Sequence, residues 1–153
     1  MLQVSLSEFA DSINDLMPLL AREFARHQTN DELYKGKITL QQFLVLAILD
    51  KEGQTKMKNL AQFMHVTTAD MTGLVERLVK SGYVVRVFLP EDRRVIKIQL
   101  TPEGRGLVKR VTQEKKKMVM RIFGKISEQD RQDYLGILER IKDTLIKESS
   151  LTP

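Results

Sequence analysis

The chain has 153 residues, of which 42% are hydrophobic and 29% are charged, a composition typical of a single globular domain. It contains no cysteine, which excludes disulfides, thiolate zinc sites and thiol-based redox sensing. The longest apolar run covers residues 43–49, whereas a membrane span needs about 18 residues. No basic segment followed by an apolar stretch opens the chain, so we expect a cytoplasmic protein without a membrane partner.

The net charge of +5 is concentrated in the middle of the chain. Residues 56–101 contain eight basic and four acidic side chains, and residues 105–125 contain eight basic side chains and one acid. Basic side chains neutralise phosphates and give affinity for a polyanion. Lysine-rich helix faces are, however, usually just solvated. Charge alone therefore favours a nucleic-acid partner only slightly.

Hydrophobic periodicity predicts two long helices in the first third of the chain. The first covers about residues 5–27, where apolar side chains recur every three or four positions. The second begins at Thr39, with Gln42 at the capping-box position, and ends at Gly53. Because residues 43–49 are apolar on all sides, we expect this helix in the middle of the domain.

A helix-turn-helix is predicted next. A short third helix covers about residues 56–64, and a fourth begins at Thr67, which is followed three residues later by Asp70. The fourth helix ends where Gly82 can adopt the left-handed conformation of a helix cap. Two short helices joined by about three residues form the helix-turn-helix pattern.

The periodicity then changes from 3.6 to 2, which predicts a β-hairpin formed by residues 83–88 and 95–100. Thr101 and Ser127 then cap a fifth and a sixth helix, each with an apolar stripe. The expected fold is mostly α with a small β-hairpin wing. We expect one continuous domain over residues 1–153.

The outward face of the fourth helix predicts a surface for the major groove of DNA. An α-helix fits this groove, and small or hydroxylic side chains near its N-terminus let the backbone approach the base edges. Methyl groups of threonine and alanine can contact a thymine methyl group. The residues of this predicted surface are Thr67, Thr68, Ala69, Thr72, Gly73 and Arg77.

The loop of the hairpin carries Arg93 and Arg94, and neither can contribute to a core from that position. An arginine at a hairpin tip can enter the minor groove, where the negative potential is strongest if the groove is narrow. Asp92 can hold the Arg94 side chain by a charge-assisted hydrogen bond. The alternative is an ordinary surface turn. The helix-turn-helix directly before the hairpin favours a wing.

Residues 38–101 resemble the multiple antibiotic resistance regulator (MarR) family of winged helix-turn-helix proteins, and the helix order extends the resemblance over essentially the whole chain. The most specific motif is the wing signature, Asp92-x-Arg94 followed by Leu100-Thr101. The other matching segments are Ile38-Thr39-x-x-Gln42-Phe43-x-Val45-Leu46, Leu60-Ala61, Leu74-Val75-x-Arg77-Leu78 and Gly82-Tyr83-Val84.

The resemblance implies a transcription regulator, with repression as its expected effect. It implies a homodimer formed by helices at residues 5–27 and 102–147, and a DNA-binding lobe at residues 38–101. The partner is double-stranded DNA with a pseudo-palindromic operator, whose half-sites lie about 10 bp apart. Arg94 would enter the minor groove, oriented by Asp92. The implied phosphate contacts are Arg93, Lys97, Lys56, Lys58 and Arg77.

Members of this family are often released from DNA by small phenolic or other lipophilic molecules. Arg22, Arg26, His27 and Tyr34 are candidates for such an effector pocket, although solvated side chains or intersubunit ion pairs explain each of them as well. One departure from the family pattern is His65, which occupies a turn position where glycine is common.

Other function classes receive less support from the sequence. No ligand-spaced histidine pair, phosphate-binding glycine loop or nucleophile motif is present, so neither a metal, a cofactor nor an enzymatic activity is expected. The competing interpretation is a winged helix that binds protein, since a fold alone does not determine function. Such a module would carry exposed apolar side chains on the recognition surface, where this chain has threonine, glycine, lysine and arginine.

Overall fold

The structure is a computed structural model that describes residues 4–27 and 36–151. Over these ranges it contains six helices and a three-stranded antiparallel sheet of order β1-β3-β2. The helices are α1 (Leu6–His27), α2 (Leu40–Glu52), α3 (Met57–Phe63), α4 (Thr68–Lys80), α5 (Pro102–Phe123) and α6 (Glu128–Leu151). The strands are β1 (Thr55–Lys56), β2 (Val84–Phe88) and β3 (Ile96–Leu100).

The predicted order of six helices and one hairpin is confirmed, and β1 is an addition that the sequence did not indicate. The chain divides into two compact units, Met1–Lys115 and Lys116–Pro153, with the boundary inside α5. The prediction of one continuous domain over residues 1–153 stays a prediction. Within the described residues, no helix has both the length and the apolar character needed to cross a membrane.

The hydrophobic core lies in the first unit and is built around α2. Phe43, Val45, Leu46 and Leu49 of this helix are buried, which confirms its predicted central position, while Leu44 is 42% exposed. Burying one such side chain contributes about 1.5–3 kcal/mol to folding. The remaining core side chains come from α3, α4, the sheet and the first turns of α5: Leu60, Ala61, Met71, Leu74, Val75, Leu78, Val84, Ile98, Leu100, Leu107, Val108 and Val111, with Ile38 before α2.

The predicted helix starts are confirmed by their hydrogen bonds. The Thr39 hydroxyl accepts from the Gln42 backbone N–H, and the Gln42 side chain accepts from the Thr39 N–H, which completes a capping box. In α1, the Ser5 hydroxyl and backbone N–H donate to the Glu8 carboxylate, and these bonds hold the pKa of Glu8 below its ordinary value. The Ser127 hydroxyl caps α6 by accepting from the Asp130 backbone N–H at 3.1 Å.

Helices α3 and α4 end in the same way: the residue in the left-handed conformation donates to the carbonyl three residues before it, and the next residue donates to the carbonyl five residues before it. The residue in the left-handed conformation differs between the two helices. After α4 this residue is Gly82, with φ of 77°, and the Tyr83 N–H donates to the Leu78 carbonyl. After α3 it is His65, with φ of 52°, the one non-glycine residue with positive φ in the described part of the chain. The turn that the sequence singled out therefore has the geometry that favours glycine.

We expect His65→Gly to raise the free energy of unfolding by about 0.5–1 kcal/mol. A side chain in the left-handed region costs about 1–2 kcal/mol, and the larger backbone entropy of glycine in the unfolded chain offsets part of this gain. Urea denaturation of both proteins measures the difference. Gly82→Ala is the matched control and should change stability in the opposite direction, whereas a loss of stability in His65→Gly would contradict this account.

The start of α5 is held against the end of α4 through the chain at Tyr83. The Thr101 N–H donates to the Tyr83 carbonyl at 3.0 Å, and the Thr101 hydroxyl donates to the Gly82 carbonyl at 2.6 Å. The same hydroxyl accepts from the Gly104 N–H at 3.0 Å, so Thr101 is the predicted cap of α5. These bonds fix the position where α4 leads into the sheet.

In the second unit, α6 packs against the end of α5. The rings of Phe123 and Tyr134 are stacked with centroids 5.6 Å apart. The guanidinium of Arg131 donates to the carbonyls of Phe123 and Ile126, and the Phe123 carbonyl also accepts from the Ile126 N–H. These contacts within the second unit hold the turn between the two helices.

Candidate nucleic-acid interface

The outward face of α4 is polar and open along its length. Thr68, Ala69 and Arg77 are exposed, while Thr72 and Gly73 are half-buried. A methyl group added at Gly73 would meet no atom of the described residues within 4 Å, apart from its chain neighbours and the backbone of its own helix, so the space beside this position is open. The opposite face buries Met71, Leu74, Val75 and Leu78 in the core, which fixes the direction in which the polar face points.

Two threonine hydroxyls on α4 are already engaged by the helix itself. The Thr67 hydroxyl accepts from the Asp70 N–H at 3.1 Å and donates to the Asp70 carboxylate at 2.6 Å, so Thr67 is the cap that the sequence predicts. The Thr72 hydroxyl donates to the Thr68 carbonyl at 2.8 Å. Its oxygen lone pairs and methyl group are left for an external contact, and the methyl group suits a thymine.

The recognition helix is also tied to the hairpin by an ion pair that the sequence did not reveal. The Arg86 guanidinium on β2 lies 4.0 Å from the Glu76 carboxylate on α4. Both side chains are partly exposed, so the pair contributes less than about 1 kcal/mol to stability. It does, however, place a positive charge next to a carboxylate that would otherwise repel phosphates from this face.

The wing has the predicted position, but Asp92 acts on it differently from what we expected. Its carboxylate accepts a hydrogen bond from the backbone N–H of Arg94 at 2.9 Å rather than from the guanidinium. The Val95 N–H donates to the Asp92 carbonyl at 3.0 Å, which closes the turn. Asp92 therefore fixes the backbone of the loop tip and leaves the Arg94 side chain without a partner among the described residues.

The two wing arginines differ in their surroundings. Arg93 lies beside Phe88, Leu89 and Pro90 and lines a shallow pocket with them on one side of the hairpin. Arg94 is exposed at the tip. Both guanidinium groups are exposed and unpaired among the described residues, so entry of Arg94 into the minor groove stays a prediction.

The remaining basic residues predicted to contact phosphates lie on the lobe at separate places. Lys56 ends β1 and Lys58 lies in the first turn of α3, and both are exposed. Lys97 lies on β3 and is half-buried. Arg77 lies in the last turn of α4, away from the helix N-terminus, which suits a phosphate better than a base.

Comparison with known proteins identifies the family of this helix-turn-helix and wing. Residues 38–96 match the model of the MarR family. The uncharacterized HTH-type transcriptional regulator YfiV of Bacillus subtilis is 30% identical over 120 residues, which are 76% of this chain and 75% of YfiV. The chain belongs to the MarR family.

Two further proteins are similar to this chain, one in sequence and one in fold. The HTH-type transcriptional repressor MdtR of Bacillus subtilis is 30% identical over 100 residues, 65% of this chain and 64% of MdtR. The crystal structure of RV1404 from Mycobacterium tuberculosis has a TM-score of 0.76 at 24% identity and covers 94% of this chain and 96% of that one, which supports the fold. As a MarR-family member, the protein is a DNA-binding transcription regulator and not an enzyme.

The residues proposed for an effector pocket are only partly described. Tyr34 and the side chain of His27 lie outside the described residues. Arg22 and Arg26 are exposed on α1, and both contact the Glu23 carboxylate, at 3.3 and 3.4 Å. Their role toward an effector stays a prediction. In the described part of the chain, no three histidine, aspartate or glutamate side chains are grouped so that they could hold a metal ion.

Proposed function

We propose that this MarR-family protein is a homodimeric repressor that binds a pseudo-palindromic operator and is released by a small phenolic or lipophilic molecule. The observation that carries the proposal is the open polar face of α4 beside an arginine-tipped hairpin, with both held on one core. Thr68, Ala69, Thr72 and Gly73 would contact base edges in the major groove. The name of MdtR as a transcriptional repressor supports the direction of regulation.

The proposed dimer is supported by apolar side chains that the protomer leaves exposed. No residue of α1 or α6 whose burial is described is buried. Exposed apolar stripes on a helix mark interaction surfaces, and a second copy of the same helices would cover them. On α1 the exposed stripe consists of Phe9, Ile13, Leu16 and Leu20, and on α6 it consists of Tyr134, Leu138, Ile141 and Leu145, with exposures between 39% and 57%.

The proposed function is tested by an electrophoretic mobility shift with the intergenic DNA upstream of the protein's own gene. We expect a discrete complex that resists non-specific competitor and weakens steeply as salt is raised, because phosphate contacts release counterions. A shift that competitor removes entirely would indicate only a basic surface on that DNA. Absence of a shift at low salt would favour the alternative of a protein-binding winged helix.

We expect deletion of residues 126–153 to abolish dimerisation, because it removes the apolar stripe of α6. Light scattering after gel filtration measures the oligomeric state. Since a truncated chain can also lose its fold, Leu138→Glu provides a second test: it places a charge in the stripe and should yield a folded monomer. Gln132→Glu adds the same charge outside the stripe and should stay dimeric. A dimeric Leu138→Glu variant would show that the interface lies elsewhere.

A further inference from the structure

The register of the sheet places two lysines directly opposite each other. Lys56 on β1 pairs with Lys97 on β3, and Lys97 pairs in turn with Val87 on β2. Opposite residues of antiparallel strands have Cβ atoms about 5 Å apart and point to the same face of the sheet. Like charges in this arrangement destabilise a strand pair. The fold therefore places two lysine side chains on the same face of neighbouring strands, where their like charges lower its stability.

The neighbouring pair of side chains on the same face is uncharged and forms a hydrogen bond instead of repelling. Gln54 lies just before β1 and Gln99 lies two residues after Lys97 on β3, and the Gln54 side-chain amide donates to the Gln99 side-chain oxygen Oε1 at 2.8 Å. Lysine ammonium groups are donors only, so Lys56 and Lys97 cannot satisfy each other in this way. Among the described residues, no carboxylate lies within ion-pair distance of either one.

We propose that Lys56 and Lys97 form a clamp that binds one backbone phosphate of duplex DNA. This inference rests on the proposed DNA-binding function and adds to it that the two lysines act as one unit. A phosphate between them would accept a charge-assisted hydrogen bond from each ammonium group and would turn their repulsion into a shared attraction. Lys97 lies three residues after Arg94, on the strand that leads from the wing, so the site lies next to the predicted minor-groove contact.

The clamp predicts effects of opposite sign on stability and on binding. In the free protein, removing either charge relieves the repulsion between the strands. In the complex, the same change removes one bond to the phosphate. Because both lysines bind the same phosphate, the first substitution should remove most of the affinity that this contact contributes, and the second should cause little further loss. Such non-additive losses identify a coupled pair.

The test uses Lys56→Gln, Lys97→Gln and the double variant of the full chain. Each single substitution should raise the Tm of the free protein by about 1–3 °C, as expected for relief of one like-charge pair. Each should also weaken operator binding about tenfold, as expected for one charge-assisted bond. The double variant should lose less affinity than the two single losses combined. Its slope of log K against log salt should fall by about 1, since one phosphate contact is lost.

Lys58→Gln is the matched control because Lys58 has no opposite lysine in the sheet register, so its substitution should leave the Tm unchanged. Additive affinity losses with a slope change of about 2 would overturn the clamp and indicate two separate phosphate contacts. Unchanged Tm values in both single variants would also overturn it. In either case the wild-type protein still binds its operator, so the proposed function stands. Failure of the wild-type protein to bind DNA at low salt would overturn both.

Discussion

Arg94→Ala is expected to weaken operator binding by about 1–3 kcal/mol, a loss of roughly 5- to 150-fold, as for one good groove contact. The Arg94 side chain is exposed and unpaired among the described residues, while its backbone is fixed by the Asp92 carboxylate. The loop tip is thus ordered before binding, and less entropy is lost when the guanidinium enters the minor groove. Fluorescence anisotropy with a labelled operator measures the change.

Arg93→Ala is the matched control because it removes the same charge from the same loop. Arg93 lies beside Phe88 and Pro90, so we expect a phosphate-type contact whose loss weakens specific and unrelated DNA equally. The loss in Arg94→Ala should instead be larger on the operator than on unrelated duplex. If the operator preference is lost in Arg93→Ala and kept in Arg94→Ala, the assignment of the two arginines is wrong.

Local features of the fold were predictable from the sequence. A helix cap depends on a residue and its neighbours two or three positions away, so Thr39, Thr67, Thr101 and Ser127 could be identified without knowledge of the tertiary structure. The change of period from 3.6 to 2 located the hairpin in the same way. His65 was identified from the family pattern, and its positive φ gives the physical reason for glycine there.

Features that join distant parts of the chain were not predictable. Strand β1 is two residues long, too short for a periodic pattern, and exists through its pairing with β3 some forty residues later. The Glu76–Arg86 ion pair and the opposition of Lys56 and Lys97 depend on packing and register. The candidate residues on α4 and the wing could be proposed from the sequence, and their contacts with DNA stay predictions.

The role of Asp92 could be predicted from the sequence only in part. The sequence predicted that the Asp92 carboxylate, two positions before Arg94, holds the Arg94 guanidinium, whereas in the structure the carboxylate accepts from the Arg94 backbone N–H. An aspartate at that spacing can bond either to a backbone N–H or to a guanidinium, and the spacing does not distinguish them. The structure shows the bond to the backbone N–H, so Asp92 fixes the backbone of Arg94 and makes no bond to its guanidinium.

Gly104→Ala is expected to lower the free energy of unfolding by about 2–5 kcal/mol, from overpacking together with a lost hydrogen bond. A Cβ atom at this position would lie 2.0 Å from the Tyr83 carbonyl oxygen and 3.2 Å from a methyl carbon of Leu100. The Tyr83 carbonyl cannot retreat easily, because it accepts from the Thr101 N–H at the start of α5. Relieving the clash therefore requires breaking the connection between the end of α4 and α5.

Gly106→Ala is the control that distinguishes the clash with the Tyr83 carbonyl from the general effect of placing alanine in a helix. Gly106 lies in the same helix, and the nearest atom to its added methyl group is the far end of the Arg110 side chain at 3.4 Å, which can move. We expect this variant to gain about 0.5–1 kcal/mol from the higher helix propensity of alanine. Thermal unfolding followed by circular dichroism should thus show Tm changes of opposite sign. Equal Tm values for the two variants would mean that the Tyr83 carbonyl does not approach α5 as closely as the structure places it, and that α4 is held in position by its core side chains alone.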